Sequence, residues 1–458
     1  MHWQVGRREK TARQELPFPH NVIIKNMSKK HKIVLVVIGA VLLLGIVAAV
    51  VPGIRERIAW RVEQARVRVF YALFPPEEAV FTPKSATLSV DEIVKATLQA
   101  VSLANIAPTF TATPQGGPTP TIAATPTPLP ASISLQGVRY EDQHGLWNYC
   151  APATLSMALS YWGWEGNRVT AGQWLKPFEK DKNVMPGELQ AFVQEQTKYK
   201  AALRSGGTLT LLKQLIAGGY PVLIEKGTYI RETTTGRVSW MGHYNVLTGY
   251  DDAKNLFISQ DSYYSADYPL DYTLLEGEWR AFNYVFMVIY PPEQEAQLMA
   301  LLGDYADAVN SEQIAAKTAS NEIASLNGVD QYFAWFNRGT SLVHLQDYAG
   351  AAQAYDEAFR LYPTLEKDLR PWRIMWYQTG PYFAYYYTGR YQDVIDLATT
   401  TLDAASEPYL EESFYWRARA RAALGDTQGA LDDLRTSLKY HPDFSPSLLV
   451  LQEMGYSP

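Results

Sequence analysis

Gln143-His144-Gly145-Leu146-Trp147-Asn148-Tyr149-Cys150-Ala151-Pro152-Ala153-Thr154 decides how this 458-residue chain is read. Cys150 is the only cysteine. Beyond it, Leu155, Ala158, Leu159 and Trp162 recur at i, i+3, i+4 and i+7. That period predicts a helix with Pro152 in its first turn, where a missing N–H costs nothing. A thiol at a helix N-terminus meets the positive end of the dipole, which favours thiolate. A thiolate attacking a carbonyl also needs donors for the developing oxyanion. Gln143 offers an amide N–H beside the backbone N–H of Cys150. The plainer reading of a lone cysteine is a small buried hydrophobe.

Two later segments supply what such a nucleophile lacks. Gly242-His243-Tyr244-Asn245-Val246-Leu247-Thr248-Gly249-Tyr250 sets a histidine at the entry of a strand-like run. Ile258-Ser259-Gln260-Asp261-Ser262 sets an acid at the end of the next. Asp251 and Asp252 are rival acids, but Tyr250-Asp251-Asp252-Ala253-Lys254-Asn255 has the composition of a turn, where Asp and Asn are expected anyway. Asp261 is therefore preferred. His144 is read as structural.

Cys, then His, then Asp, with Gln ahead of Cys, resembles the order in papain-like cysteine peptidases. The motifs are more closely similar to those of the bacterial double-glycine leader peptidases and their stand-alone relatives. The resemblance covers residues 134–292, about a third of the chain. It implies an α+β papain-like domain whose nucleophile helix packs against a sheet carrying the histidine. Carried over residue by residue, it implies Cys150 as nucleophile and His243 as base and later proton donor to the leaving amine. Asp261 would orient the imidazole, and Gln143 would help bind the oxyanion. Two departures matter. Ala151 stands where the family usually has glycine, and no G-x-x-x-x-G-K-[ST] loop marks a fused transporter. A binding module that has lost turnover, and acyl transfer to an amine by the same thiol, are the rival readings.

Composition narrows the classes further. Charged residues make up 19% and hydrophobic ones 47%, so the chain is not disordered overall. A net charge of -6 shows no nucleic-acid footprint. One cysteine excludes an intramolecular disulfide and a cysteine-rich zinc site. Nothing demands a metal or organic cofactor.

In chain order, residues 1–32 form a basic, cytoplasmic tail and residues 33–51 an uncharged apolar run. A run of that length crosses a bilayer core of about 30 Å as a single helix. Lys29, Lys30 and Lys32 argue for an inside N-terminus, against Arg55, Arg57 and Arg61 on the other flank. Residues 52–106 read as a juxtamembrane helical segment. It holds a basic amphipathic helix over 54–72, ended by Pro75-Pro76, and a shorter helix over about 90–98. Thr-Pro repeats over 107–131 make an extended linker.

Within 132–292, helices are expected around Pro186–Val193 and Leu209–Ile216. Strands are expected from Pro221, through a hairpin turned at Thr234-Thr235-Gly236, and over 243–251, 255–261 and 281–291. Residues 293–458 resemble tetratricopeptide repeats. Trp335, Gly339, Ala351, Tyr355, Ala358 and Pro363 fall at signature spacings; Phe414, Ala418, Ala430 and Pro442 repeat them; Tyr391, Val394 and Ala398 mark a degenerate copy between. About three such helix pairs are needed to bury one another's faces. The aromatics are read as core. The expectation for the whole is a single-pass membrane protein with an extracytoplasmic cysteine peptidase domain. It would take a peptide or protein substrate, with an all-α repeat domain binding a protein partner.

Overall fold

The computed structural model describes residues 52–84, 128–232 and 236–457, with a few residues between 29 and 38. Most of the basic tail, most of the apolar run 33–51, the short helix expected at 90–98 and most of the Thr-Pro linker lie outside the described residues. Among the described residues no helix is long and apolar enough to cross a membrane.

The chain divides into two compact units, residues 1–69 and 70–458. Helix α1 (Pro52–Leu73) starts in the first, where Arg66 pairs with Glu63 one turn away.

The second unit opens with β1 (Ser132–Ser134), then α2 (Cys150–Tyr161), α3 (Arg168–Leu175) and α4 (Pro186–Gln196). β2 (Lys200–Arg204) and α5 (Leu209–Ala217) lead into β3 (Val222–Arg231), β4 (Val238–Asp251), β5 (Leu256–Asp261) and β6 (Ser265–Asp271). α6 (Tyr272–Arg280) and β7 (Phe286–Tyr290) complete the α+β half. The sheet runs β2-β7-β3-β4-β5-β6, with β1 on β4, and every pairing is antiparallel.

Successive strand residues face opposite sides, and both sides are covered. Leu223, Val246 and Met287 pack under α2 and α4 with Leu155, Leu189 and Phe192. Their neighbours Ile224, Leu247 and Phe286 pack with Leu212 and Leu215 of α5 and Trp279 of α6. This is why the strands read as near-continuous apolar runs. The helix starts are set locally. Asn167 accepts from Val169 and Thr170, Thr208 accepts from Leu211, and Pro186 opens α4 with Glu188 reaching back to Met185 N.

Several elements differ from the sequence expectation. α3, β2, β6 and α6 carry too weak a period to be foreseen. Residues 281–285, expected as strand, form a turn instead: Asn283 and Tyr284 have φ of 53° and 52°, and β7 begins only at Phe286. An aromatic run looks β-like, yet here Phe282 is turned toward the helical half.

That half comprises α7 (Glu295–Leu302), α8 (Ala308–Ser325), α9 (Gly328–His344), α10 (Tyr348–Leu361) and α11 (Ile374–Tyr377). α12 (Gly380–Tyr387), α13 (Tyr391–Ala404), α14 (Glu411–Ala423), α15 (Thr427–Tyr440) and α16 (Ser445–Glu453) follow. Gly339 of α9 lies against the Tyr355 ring, where an added Cβ would come within 2.7 Å. Asp347 and Asp426 cap α10 and α15 alike, each accepting from the glycine three residues on. Tyr355 and Trp416 are buried and Trp335 half-buried in the helical core.

The two halves share one core. Trp240, Ala281 and Phe282 lie in the same apolar cluster as Phe333, Phe336 and Tyr355. Asn283 N donates to Asn337 Oδ1 at 3.1 Å as well as to Arg280 O, and its side-chain amide donates to Ser341 Oγ at 2.8 Å. Arg280 pairs with Glu322 and Asp330. Residues 70–84 also pack here rather than standing apart. Phe81 is buried edge-on against Phe359, Arg370 donates to Glu77 O, and Lys84 N donates to Asp393.

Candidate active site

Cys150 is the first residue of α2 and is half-buried. The turn before it is fastened by Lys176, whose Nζ donates to Trp147 O and Asn148 O, while Asn148 takes a φ of 49°. Tyr149 lies over Gly172, where a Cβ would fall 2.2 Å from the phenol oxygen. Thr154, one turn into α2, donates to Tyr244 O at 3.2 Å and so ties the helix start to β4.

β4 carries His243 beside that junction, opposite Lys226 of β3. His243 Nε2 and Asp261 Oδ1, at the end of β5, are 2.8 Å apart, and both residues are buried. The ring's other nitrogen, Nδ1, is the one left for Cys150, which lies near enough for the two groups to shift each other's pKa. Asp261 is held from several sides. Tyr263 N and Tyr264 N donate to Oδ1, and Asn245 Nδ2 donates to Oδ2 at 2.8 Å.

These contacts set the charges. Burial pushes the Cys150 thiol up, but the hydrogen bond and charge of His243, the backbone of Tyr244 and the charge of Lys176 outweigh it and leave the thiol below its usual value. Burial works to lower His243; Asp261 and Cys150 together push it up to about 9. Burial works to raise Asp261; His243, Asn245 and Tyr263 hold it well below the usual carboxylate range. All three directions favour a thiolate beside an imidazolium.

Gln143 lies alongside. Its N–H donates to Ser262 O at 2.9 Å, and Ser262 Oγ donates to Gln143 Oε1 at 2.8 Å. The carbonyl end of the side chain is thereby occupied, which leaves the Nε2 amide to donate. Ala151 has its methyl in the core between helix and sheet. Asp251 and Asp252 stay at the β4–β5 turn, paired with Lys254 and Lys213. His144 is exposed and pairs with Asp142.

So His243 and Asp261 are joined by a hydrogen bond, Cys150 lies near the ring at the start of α2, and Gln143 is tied to Ser262 next to Asp261. Sequence reasoning missed Asn245, Lys176 and Gly172. Asn245 had a usable signal, since two residues on from His243 in a strand lies on the same face. Lys176 and Gly172 had none, because their roles depend on how α3 folds back over the turn.

The class defined here is a peptidase-like α+β domain joined to a helical-repeat domain. Residues 135–287 match the model of the Peptidase_C39 like family, about a third of the chain. Residues 332–365 and 412–443 match Tetratricopeptide repeat models. A solved structure described as a C39-like peptidase from Bacillus anthracis aligns over 35% of this chain and 97% of its own, at 18% identity and a TM-score of 0.29. So low a score carries no argument. No curated relative matches the chain.

Proposed function

We propose that this chain hydrolyses peptide bonds with Cys150 as nucleophile, His243 as general base and acid, Asp261 as the group that orients and stabilises the imidazolium, and Gln143 as an oxyanion donor. The supporting observation is the buried His243–Asp261 hydrogen bond beside a Cys150 thiol that starts α2 and that His243 draws toward the thiolate.

In the reaction so proposed, the Cys150 thiolate attacks the carbonyl carbon, and the oxyanion takes hydrogen bonds from Cys150 N–H and Gln143 Nε2. As the C–N bond breaks, the His243 imidazolium gives its proton to the leaving amine. Water, deprotonated by His243, then attacks the thioester, and the thiolate leaves as the acid is released. Asp261 stays ionised and holds the ring in one orientation. The run 33–51 would anchor the chain with the catalytic half extracytoplasmic, and the repeats would hold the substrate protein or a partner.

The test is cleavage of a quenched peptide library by the full chain in detergent, with Cys150→Ala as control. Turnover lost in the variant supports the reading; turnover retained, or absent in the parent, refutes it. Protease digestion of intact cells tests the orientation: protection of 132–458 would refute the extracytoplasmic placement.

A further inference from the structure

The segment between α3 and α4 touches both the turn before Cys150 and the repeat half. Pro177 ends α3, because the residue before a proline is pushed out of the helical region, and Pro186 opens α4. The residues between the two prolines form no regular element, yet Lys176 and Asp181 are each 5% exposed. A loop held so deep must find partners on both of its sides.

On the inner side it holds the turn that leads into α2. Lys176 Nζ donates to Trp147 O and, at 3.3 Å, to Asn148 O, and it stands 5.3 Å from the centre of the Tyr149 ring. Asn148 Nδ2 donates to Asp181 O at 2.8 Å. Each of the three residues before Cys150 therefore meets Lys176 or Asp181. Asn148 takes a left-handed φ of 49°, which asparagine tolerates better than most residues with a Cβ, and its amide is tied down in that conformation. The far end of the loop reaches β4. Tyr244, next to His243 in the chain, gives its phenol proton to Val184 O at 2.9 Å.

On the outer side the repeat half holds the same loop. The Phe178 ring lies 5.0 Å from Tyr409, just ahead of α14, and 5.5 Å from Tyr440, the last residue of α15. Tyr409 and Tyr440 meet edge-on at 4.9 Å, so Phe178 completes a cluster of three rings. Lys180 pairs with Glu407 at 3.1 Å, and Lys182 lies over the Trp376 and Tyr409 rings at 5.5 and 5.4 Å. Phe178 O accepts from Asp181 N at 3.1 Å, which joins the residue packed on the repeats to the residue that binds Asn148.

We infer that Phe178, Asp181 and Lys176 are positioning residues for Cys150, through which the repeat half fixes the turn that carries the thiol. Contacts run from Tyr409 and Tyr440 to Phe178, from Phe178 to Asp181, and from Asp181 to Asn148, two residues before the sulfur. The repeat half then acts on the thiol itself, besides any part it has in holding a protein. The purpose of this coupling rests on the peptidase reading, but the coupling is measured on the thiol and not on turnover.

Cys150 is the only cysteine, so alkylation of the full chain reports it alone. Iodoacetamide rates are measured across pH for the parent, Phe178→Ala, Tyr440→Ala and Asn148→Gly. The last change suits a φ of 49° and removes only an exposed side chain, so it keeps the test open if either ring variant fails to fold. Each folded variant should raise the midpoint of the rate–pH curve by about one unit, which lowers the rate about tenfold below the midpoint. Phe178→Leu keeps most of the apolar bulk and should recover part of that shift. Heat unfolding followed by circular dichroism is taken alongside. A merely structural role lowers the melting temperature and leaves the midpoint in place, and that result in the folded variants overturns the positioning role. A parent midpoint at the ordinary value of about 8.5 overturns it too. Absence of peptide cleavage by the parent, with the midpoint shifts intact, overturns the peptidase reading alone.

Discussion

His243 meets Asp261 through Nε2 at 2.8 Å, which turns the opposite ring nitrogen toward Cys150 at the start of α2. The ring is therefore positioned from the acid side, and the proposed chemistry would use it from the thiol side. His243 stands at about 9 and Cys150 below its usual value. The thiolate then persists to lower pH than in an ordinary thiol and is lost as pH falls through the depressed Cys150 pKa. Alkylation by iodoacetamide should reach half its plateau rate below about 8.5, the ordinary thiol value. In Asp261→Asn the buried ring loses its counter-charge, its pKa drops, and the rate should climb with pH as for an ordinary thiol. Identical profiles for parent and variant would remove Asp261 from the proposed line.

Asn245 is fully buried and gives its amide to Asp261 Oδ2 and to Ser259 Oγ, both at 2.8 Å. Asn245→Ala should cost about 1–3 kcal/mol, the usual penalty for stranding a buried polar partner. Asn245→Asp should cost more at neutral pH, because it sets two buried carboxylates face to face. The sign follows from Asp261, whose folded pKa is depressed. Its contribution is present above the unfolded value of about 3.9 and lost as pH falls through the folded one. The added aspartate would be pushed up instead, so Asn245→Asp should regain ground against Asn245→Ala as pH drops from 7 toward 5. Urea unfolding at the two pH values checks this.

Trp240 and Phe282 stack at 5.7 Å on the α+β half and pack into the helical half's core, where Arg373 Nη1 donates to Trp240 O. Exposing that surface would leave Trp240, Phe282 and the Asn283 amide unmatched. The chain from residue 70 onward should therefore unfold by heat in one calorimetric transition. A chain ended at residue 292 should be poorly soluble or melt well below it. Two separated transitions in the parent would refute the shared core.

The local parts of this arrangement were legible in sequence: the apolar period after Cys150 and the turn residues between β4 and β5. Cys150 and Asp261 stand at element boundaries, whereas His243, expected at a strand entry, lies inside β4 (Val238–Asp251). What stayed hidden depends on contacts distant along the chain. The sequence showed Phe282 as one more apolar residue in a strand-like run, yet its partner is Tyr377, nearly a hundred positions later. Residues 70–84 looked like membrane-proximal spacer, because nothing near Phe81 announces Phe359.

Gly242 shows how tightly the helical half bears on His243. A Cβ there would meet Phe282 at 2.8 Å and Tyr377 at 2.9 Å, and the next residue is His243. Tyr377 ends α11, so the pressure would come from the repeat half. Gly242→Ala should cost about 1–3 kcal/mol, the usual range for overpacking. The larger effect should be on turnover, because β4 can relieve the clash only by moving the imidazole away from Cys150. Displacement of about 1 Å in a reacting group is enough to lower a rate about a hundredfold. Gly242→Ala with Tyr377→Ala beside it removes one of the two obstructing rings and should restore part of that loss. A double variant no faster than Gly242→Ala, with both folded by circular dichroism, would show that Tyr377 does not constrain the histidine.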